Sequence, residues 1–275
     1  MDADTLPSYA RRLHDLIEPL CTVAFFAPEP SSALVRLGLP DNYWDGYFAG
    51  RAGPLGLTSA EVVDAAFYSF APGEVARHIP RVWEVTTPRE AADAVRQGCA
   101  DALRRILAAS AESDQSVEAA DLLVRAAASA EIGGRIMFAA LRAMPVPEDP
   151  VERLWHAATL LREHRGDGHV AALQAHRIGR TEAHVLLAID LGMAPADFGR
   201  LHHLPSRYLD ETIEGLRRRG LVTAEQTFTD EGRAVKDAIE RLTDELAADA
   251  LRTLTAEDRE RLVAALEPLA DAFAS

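Results

Sequence analysis

A chain of 275 residues with 48% hydrophobic and 26% charged residues can bury one large core or two ordinary ones, and abundant Ala and Leu beside 6% aromatics favour packed helices over sheets. A formal net charge of −14 sets a field that repels nucleic-acid phosphates, which argues against DNA binding as the main activity. Cys21 and Cys99, with no CxxC spacing, give no disulfide or metal framework; the acidic start Met1-Asp2-Ala3-Asp4 and the lack of a membrane-length apolar run lead to an expected cytoplasmic location. Leu13, Leu16, Ile17 and Leu20 have helical spacing, and Pro28-Glu29-Pro30 is read as a break before a second helix through Leu34, Val35 and Leu37. The stretch 41–56 comes next, with Tyr43, Trp44, Tyr47 and Phe48, four glycines, Arg51 and no clean period. If it is helical, Tyr47 and Arg51 share a face and form one wall of a pocket; the plainer reading is an interhelical corner packed by Trp44 and Phe48.

Thr58 or Ser59 can cap a helix through Val62, Val63, Ala66 and Phe67. Pro72, Pro80 and Pro88 punctuate short helices, and an Ala-rich pair covers 89–109 and 114–128. Pro145-Val146-Pro147-Glu148-Asp149-Pro150 is the clearest linker, dividing a helical domain, 1–147, from a second domain, 148–275. Past it, a helix over 151–164 is expected to stop at Gly166-Asp167-Gly168, where the chain reverses into another over 169–176, followed by one over 182–190. Helices over 195–203 and 206–219 form a helix-turn-helix pair, with Leu209, Ile213 and Leu216 core-spaced. Residues 223–227 make a very short wing, and 229–266 is one or two long helices stopped by Pro268.

Arg219-Gly220-Leu221-Val222, followed by Thr229-Asp230-Glu231-Gly232-Arg233, resembles the MarR family over about 185–270. The resemblance implies a mainly α protein with a winged helix-turn-helix, a minimal β-hairpin wing, and a homodimer through the C-terminal helices. Electrostatics run against DNA reading by this module. Arg207 is followed by Asp210, Glu211 and Glu214, the wing carries Glu225 and no base, and Arg217, Arg218 and Arg219 sit where they complement a helix C-terminus. Were DNA bound, Arg200, His203, Ser206 and Arg207 would be the contact residues.

The densest chemistry lies between His156 and His169, where seven potentially charged groups fall in fourteen residues of an otherwise apolar helix. Helical spacing puts His156, Glu163 and His164 on one stripe and Trp155, Thr159 and Arg162 on another, and the expected Gly-Asp-Gly reversal would bring Asp167 and His169 to the same place. That inventory fits general acid–base work beside an anion anchor. His156, Glu163, His164 and His169 are the proton-handling candidates; Tyr47, Arg51, Trp155, Arg162, Arg165 and Asp167 are the ligand-binding ones. The plainer reading is a helix cap by Asp167 and an ion pair from Glu163 to Arg162 or Arg165. His164 and His169 lack the spacing of a helical zinc pair, so no metal is expected. Nucleotide fingerprints and the GxSxG elbow are missing from the sequence, so no organic cofactor is expected.

The segments YFAGRAGPLG (47–56) and LWHAATLLREHRGDGHVAAL (154–173), with Ala65-Ala66-Phe67-Tyr68 and Pro80-Arg81-Val82-Trp83, resemble an incompletely characterised bacterial helix-turn-helix family common in high-GC Gram-positives. The likeness spans nearly the whole chain and names relatives without supplying a reaction. The leading expectation is a small-molecule-binding protein, with acid–base catalysis by the same residues if there is turnover, on a repurposed winged helix with a pocket between the halves. The alternative is a ligand-responsive, MarR-like regulator that binds DNA as a dimer. A third reading, an interaction protein without a pocket, requires the central polar residues to be exposed or saturated by one another.

Overall fold

The computed structural model describes residues 5–274, and among these twelve α-helices account for most of the chain. Met1 to Asp4, on which the expectation about the N-terminus rests, lie outside the described residues. Helix α1 (Leu6–Phe26) starts at a Thr5 cap. Pro28, expected to interrupt the helices, instead opens α2 (Pro28–Arg36), because proline is tolerated in a first turn that has no amide partner anyway. The aperiodic stretch is helical: α3 (Tyr43–Ala52), capped by Asn42, whose Oδ1 accepts from the Asp45 amide at 2.9 Å, runs into a 3₁₀ turn at Gly53–Leu55. Helix α4 (Ala60–Phe67) begins after Ser59, whose side chain makes no capping bond to the helix amides. The Ala-rich pair appears as α5 (Pro88–Leu107), opened by a Thr87–Glu90 capping box, and α6 (Asp114–Ser129), and α7 (Ile136–Arg142) comes after them.

The expected stop at Gly166-Asp167-Gly168 does not occur: α8 (Pro150–Ala175) runs straight through it. Two glycines weaken a helix interior by about 1 kcal/mol each relative to alanine, so something outside the helix must use them. At Gly168 the reason is visible. A Cβ there would lie 3.0 Å from Arg135 Nη1 and 3.3 Å from Leu246 Cβ, so the glycine lets two neighbours close on the helix. Arg135 then donates to the carbonyls of His164 in α8 and Leu246, joining both elements.

Helices α9 (Arg180–Asp190) and α10 (Ser206–Arg218) enclose a connection in which only Pro195–Asp197 is helical, as a 3₁₀ turn; the helix expected over 195–203 is otherwise turns. The wing segment contributes a single antiparallel bridge, Val222 to Phe228, closed by the Thr223 amide donating to Thr227 at 2.8 Å, and no strand is present among the described residues. Five intervening residues are too few for a longer ladder. Helices α11 (Asp230–Ala248) and α12 (Ala256–Asp271) complete the chain; Pro268 lies inside α12 rather than stopping it.

Buried apolar residues form two clusters. The larger draws on α1 to α7, the first half of α8, and the end of α11 with α12; the smaller joins the end of α8 to α9, α10 and Ile239 of α11. Helix α8 is the shared spine, packed by α1, α5, α6, α7 and α11. No described helix is long and apolar enough to cross a membrane.

Candidate functional site

A cavity enclosing about 100 Å³ lies beside α8 with α1, α2, α3, α5 and α7 around it. Its walls are mostly apolar (Phe25, Leu34, Val95, Met137, Leu141, Trp155), and its polar side is made by Tyr47, Arg51, Arg162 and Glu163. Apolar walls with a few convergent polar groups are the character of a small-molecule site. Residues four apart on a helix share a face, so α3 presents Tyr47 and Arg51 together. Gly50, between them, lets α3 sit against α5: a Cβ there would be 2.7 Å from Val95 Cγ2.

The polar side is one continuous network. Arg51 donates to the Tyr47 hydroxyl at 2.8 Å and to Glu163 Oε2 at 3.1 Å, while stacking over Phe67 at 4.6 Å. Arg162 donates to Glu163 Oε1 at 3.0 Å and forks onto both oxygens of Glu18 at 2.8 and 2.9 Å. Burial would push the Glu163 carboxyl up, but Arg51 and Arg162 together hold it below the usual carboxylate range, so it stays ionised. Tyr47 obeys the same logic: burial raises a phenol, and the guanidinium groups of Arg51 and Arg200 bring it below its ordinary value. Arg200 reaches Tyr47 from the turn before α10, donating to its hydroxyl at 2.8 Å and stacking over the Tyr47 and Phe70 rings, both at 4.8 Å.

Five of the sequence-derived residues thus meet at one cavity: Tyr47, Arg51, Trp155, Arg162 and Glu163. The other five do not, because α8 continues where the sequence suggests a reversal. On one straight helix of 3.6 residues per turn, His169 lies about 140° round from His156. His156 is buried, its imidazole held neutral by desolvation with a value lowered to about 4. His164 packs edge-on to Phe138 at 4.9 Å, and His169 meets the Thr243 hydroxyl at 3.0 Å. Arg165 pairs with Asp244 at 2.9 Å. Asp167 accepts from the amides of Met137 and Phe138, at 3.4 and 2.9 Å, and so caps α7 instead of α8. Burial raises its carboxyl to about 6. Among the described residues no group of three or more His, Cys, Asp or Glu is placed to hold a metal ion.

The residues considered for DNA contact divide as well. Arg200 is taken up by Tyr47, and His203 Nε2 lies 2.6 Å from Glu74. Ser206 and Arg207 are exposed at the start of α10, Arg207 pairing with Glu211 at 2.9 Å. Asp210, Glu211 and Glu214 line the exposed face behind them. Sequence reasoning misses Glu18 and the inward role of Arg200. Neither carries a local signal, since each is defined by a partner more than 140 residues away.

No curated protein and no solved structure matches the chain. A family profile described as a helix-turn-helix family does, over residues 10–275, which takes in the cavity, α8 and the α9–α10 pair alike. The chain belongs to this helix-turn-helix family.

Proposed function

We propose that this protein binds a small molecule in the cavity beside α8 and passes its occupancy to the helix-turn-helix segment. One juxtaposition carries the reading: the Tyr47 hydroxyl accepts from Arg51, a cavity wall, and from Arg200, in the turn leading into α10. A ligand that moves Tyr47 or Arg51 thereby moves a contact of the turn. Binding is favoured over proton transfer. Glu163 is the only one of the four proton-handling candidates among the cavity's lining residues, and a carboxylate clamped by two guanidinium groups is a weak base.

The second reading is a ligand-responsive regulator that reads DNA as a dimer, with 148–275 as a MarR-like winged-helix domain. Membership of a helix-turn-helix family favours it. So does the junction after α10, where Gly220 has φ +73° and Thr229 caps α11 by accepting from the Gly232 amide at 2.9 Å. The acidic face of α10 weighs against it, and α11 and α12 bury their apolar faces on α1, α6 and α8 of their own chain. A cytoplasmic location suits either reading.

A thermal-shift screen of small molecules against the native protein and Arg51→Ala, run beside a genomic-DNA pull-down, decides between them. Compounds that raise the native melting temperature and not that of Arg51→Ala support the binding reading. No stabilising compound alongside tight, salt-sensitive capture of one DNA fragment reverses the order.

A further inference from the structure

If the cavity is a binding site, as proposed, the charge balance around it narrows what the ligand can be. Three guanidinium groups, Arg51, Arg162 and Arg200, are joined through Tyr47 and Glu163, but only two carboxylates, Glu163 and Glu18, answer them. Arg162 uses both carboxylates and Arg51 shares one. Among the described residues no acidic group pairs with Arg200, which is held by a neutral hydroxyl and aromatic faces. The next carboxylates on that side are already engaged: Glu74 with His203 and the Ala71 amide, and Asp64 with Arg180 at 2.6 Å. His14, beside Glu18, adds no positive charge at neutral pH, since burial holds it neutral. A protein with a formal charge of −14 therefore keeps a local cationic surplus at one end of an apolar cavity. Such a surplus is the arrangement that recognises an anion.

We infer that the cavity takes an amphipathic anion, whose apolar body lodges among Phe25, Leu34, Val95, Met137 and Leu141 and whose single acidic group is held by Arg51 and, on displacing the Tyr47 oxygen, by Arg200, which touches Tyr47 without itself lining the cavity. The Tyr47 oxygen is the internal competitor for both guanidinium groups. An acidic group on the ligand exchanges a neutral acceptor for a charged one, and charge-assisted bonds are roughly twice as strong as neutral ones. Because Arg200 belongs to the turn before α10, this exchange also carries occupancy to the helix-turn-helix.

Two fluorescent probes with the same apolar body make the test: 1-anilinonaphthalene-8-sulfonate, which carries one anionic group, and N-phenyl-1-naphthylamine, which carries none. Each is titrated into the native protein, Arg200→Gln, Tyr47→Phe, and Ser31→Trp, which plugs the cavity rim from an exposed position. Near-ultraviolet circular dichroism establishes that each variant is folded. The expected result is one-to-one binding of the sulfonate, abolished by Ser31→Trp. Arg200→Gln should weaken it roughly tenfold, the loss of one charge-assisted bond, while leaving the neutral probe within about twofold. Tyr47→Phe should tighten it several-fold by removing the competitor. Equal binding of both probes, unmoved by Arg200→Gln and Tyr47→Phe, overturns the anion inference and leaves the cavity as a binding site. Binding of neither probe, or binding indifferent to Ser31→Trp, removes the cavity reading itself.

Discussion

Glu163 shows what a single side chain does in this network. Its two oxygens are divided between Arg51 and Arg162, and its side chain is 7% exposed against 21% for each arginine. Glu163→Gln keeps the shape and one acceptor but leaves Arg51 without a charged partner in a mostly desolvated place. Breaking a buried pair from one side costs about 3–5 kcal/mol. Glutamine retains one hydrogen bond and Arg162 retains Glu18, so about 2–3 kcal/mol is expected, read as a lower urea midpoint at unchanged slope. Arg51→Gln on that background should cost much less than it does alone, since the pair is already broken; full additivity in the double-mutant cycle would mean the two do not interact. At this scale the sequence shows which residues carry chemistry and not whom they meet. Tyr47, Arg51 and Glu163 stand out because polar groups on apolar helices do. Arg200 looks like a groove-reading arginine in the sequence because its partner is 153 residues away and nothing local reveals it.

Among the elements, α8 is the one that decides the architecture and the one least legible in the sequence. Helices α5 and α6 are legible because Ala-rich composition is a local signal, and the Thr87–Glu90 and Ser113 caps the structure adds are local too. Gly166-Asp167-Gly168 reads as a stop because in isolation it would be one. Tertiary packing overrides it: Asp167 caps α7 and Gly168 admits Arg135. The two glycines therefore predict opposite signs for the same substitution. At Gly166 the nearest atom to a new Cβ is Glu163 Oε2 at 3.9 Å, so Gly166→Ala should stabilise by about 1 kcal/mol through helix propensity alone. Arg135 is 9% exposed and tied to two carbonyls, so it cannot retreat from a Cβ at Gly168. Gly168→Ala should therefore destabilise, by about 1–2 kcal/mol net of the propensity gain. Thermal unfolding of the two variants side by side checks this. Stabilisation by both would mean that Arg135 does not clamp α8 to α11.

Across the whole molecule, the histidines that do not assemble a catalytic site set the response to acid. Burial lowers His14, His156 and His169 to about 4, and His164 and His184 to about 3, against about 6.5 in an unfolded chain. A group with a depressed folded value contributes stability that is whole above its unfolded value. That stability drains away as pH falls toward the folded value, because the unfolded chain binds the proton first. Asp167, raised to about 6, has the opposite sign: its contribution is present at low pH and is lost as pH rises through 6. It offsets roughly one histidine of the five. Relief of the repulsion implied by a net charge of −14 also favours the folded state in acid, but most carboxylates protonate below pH 5. In the window from 6.5 to 5 the imidazoles therefore dominate, with Asp167 opposing them. There, stability should be flat from pH 8 to 7 and then decline by roughly 1 kcal/mol or more per histidine by pH 5, a loss of several degrees or more in melting temperature. Replacing His164, which packs edge-on to Phe138 within reach of the Arg135 charge, by the near-isosteric Asn should remove about one-quarter of that net slope. A melting temperature that holds constant or rises from pH 7 to 5 would mean that these imidazoles titrate freely in the folded protein, and that α8 is not a dry spine.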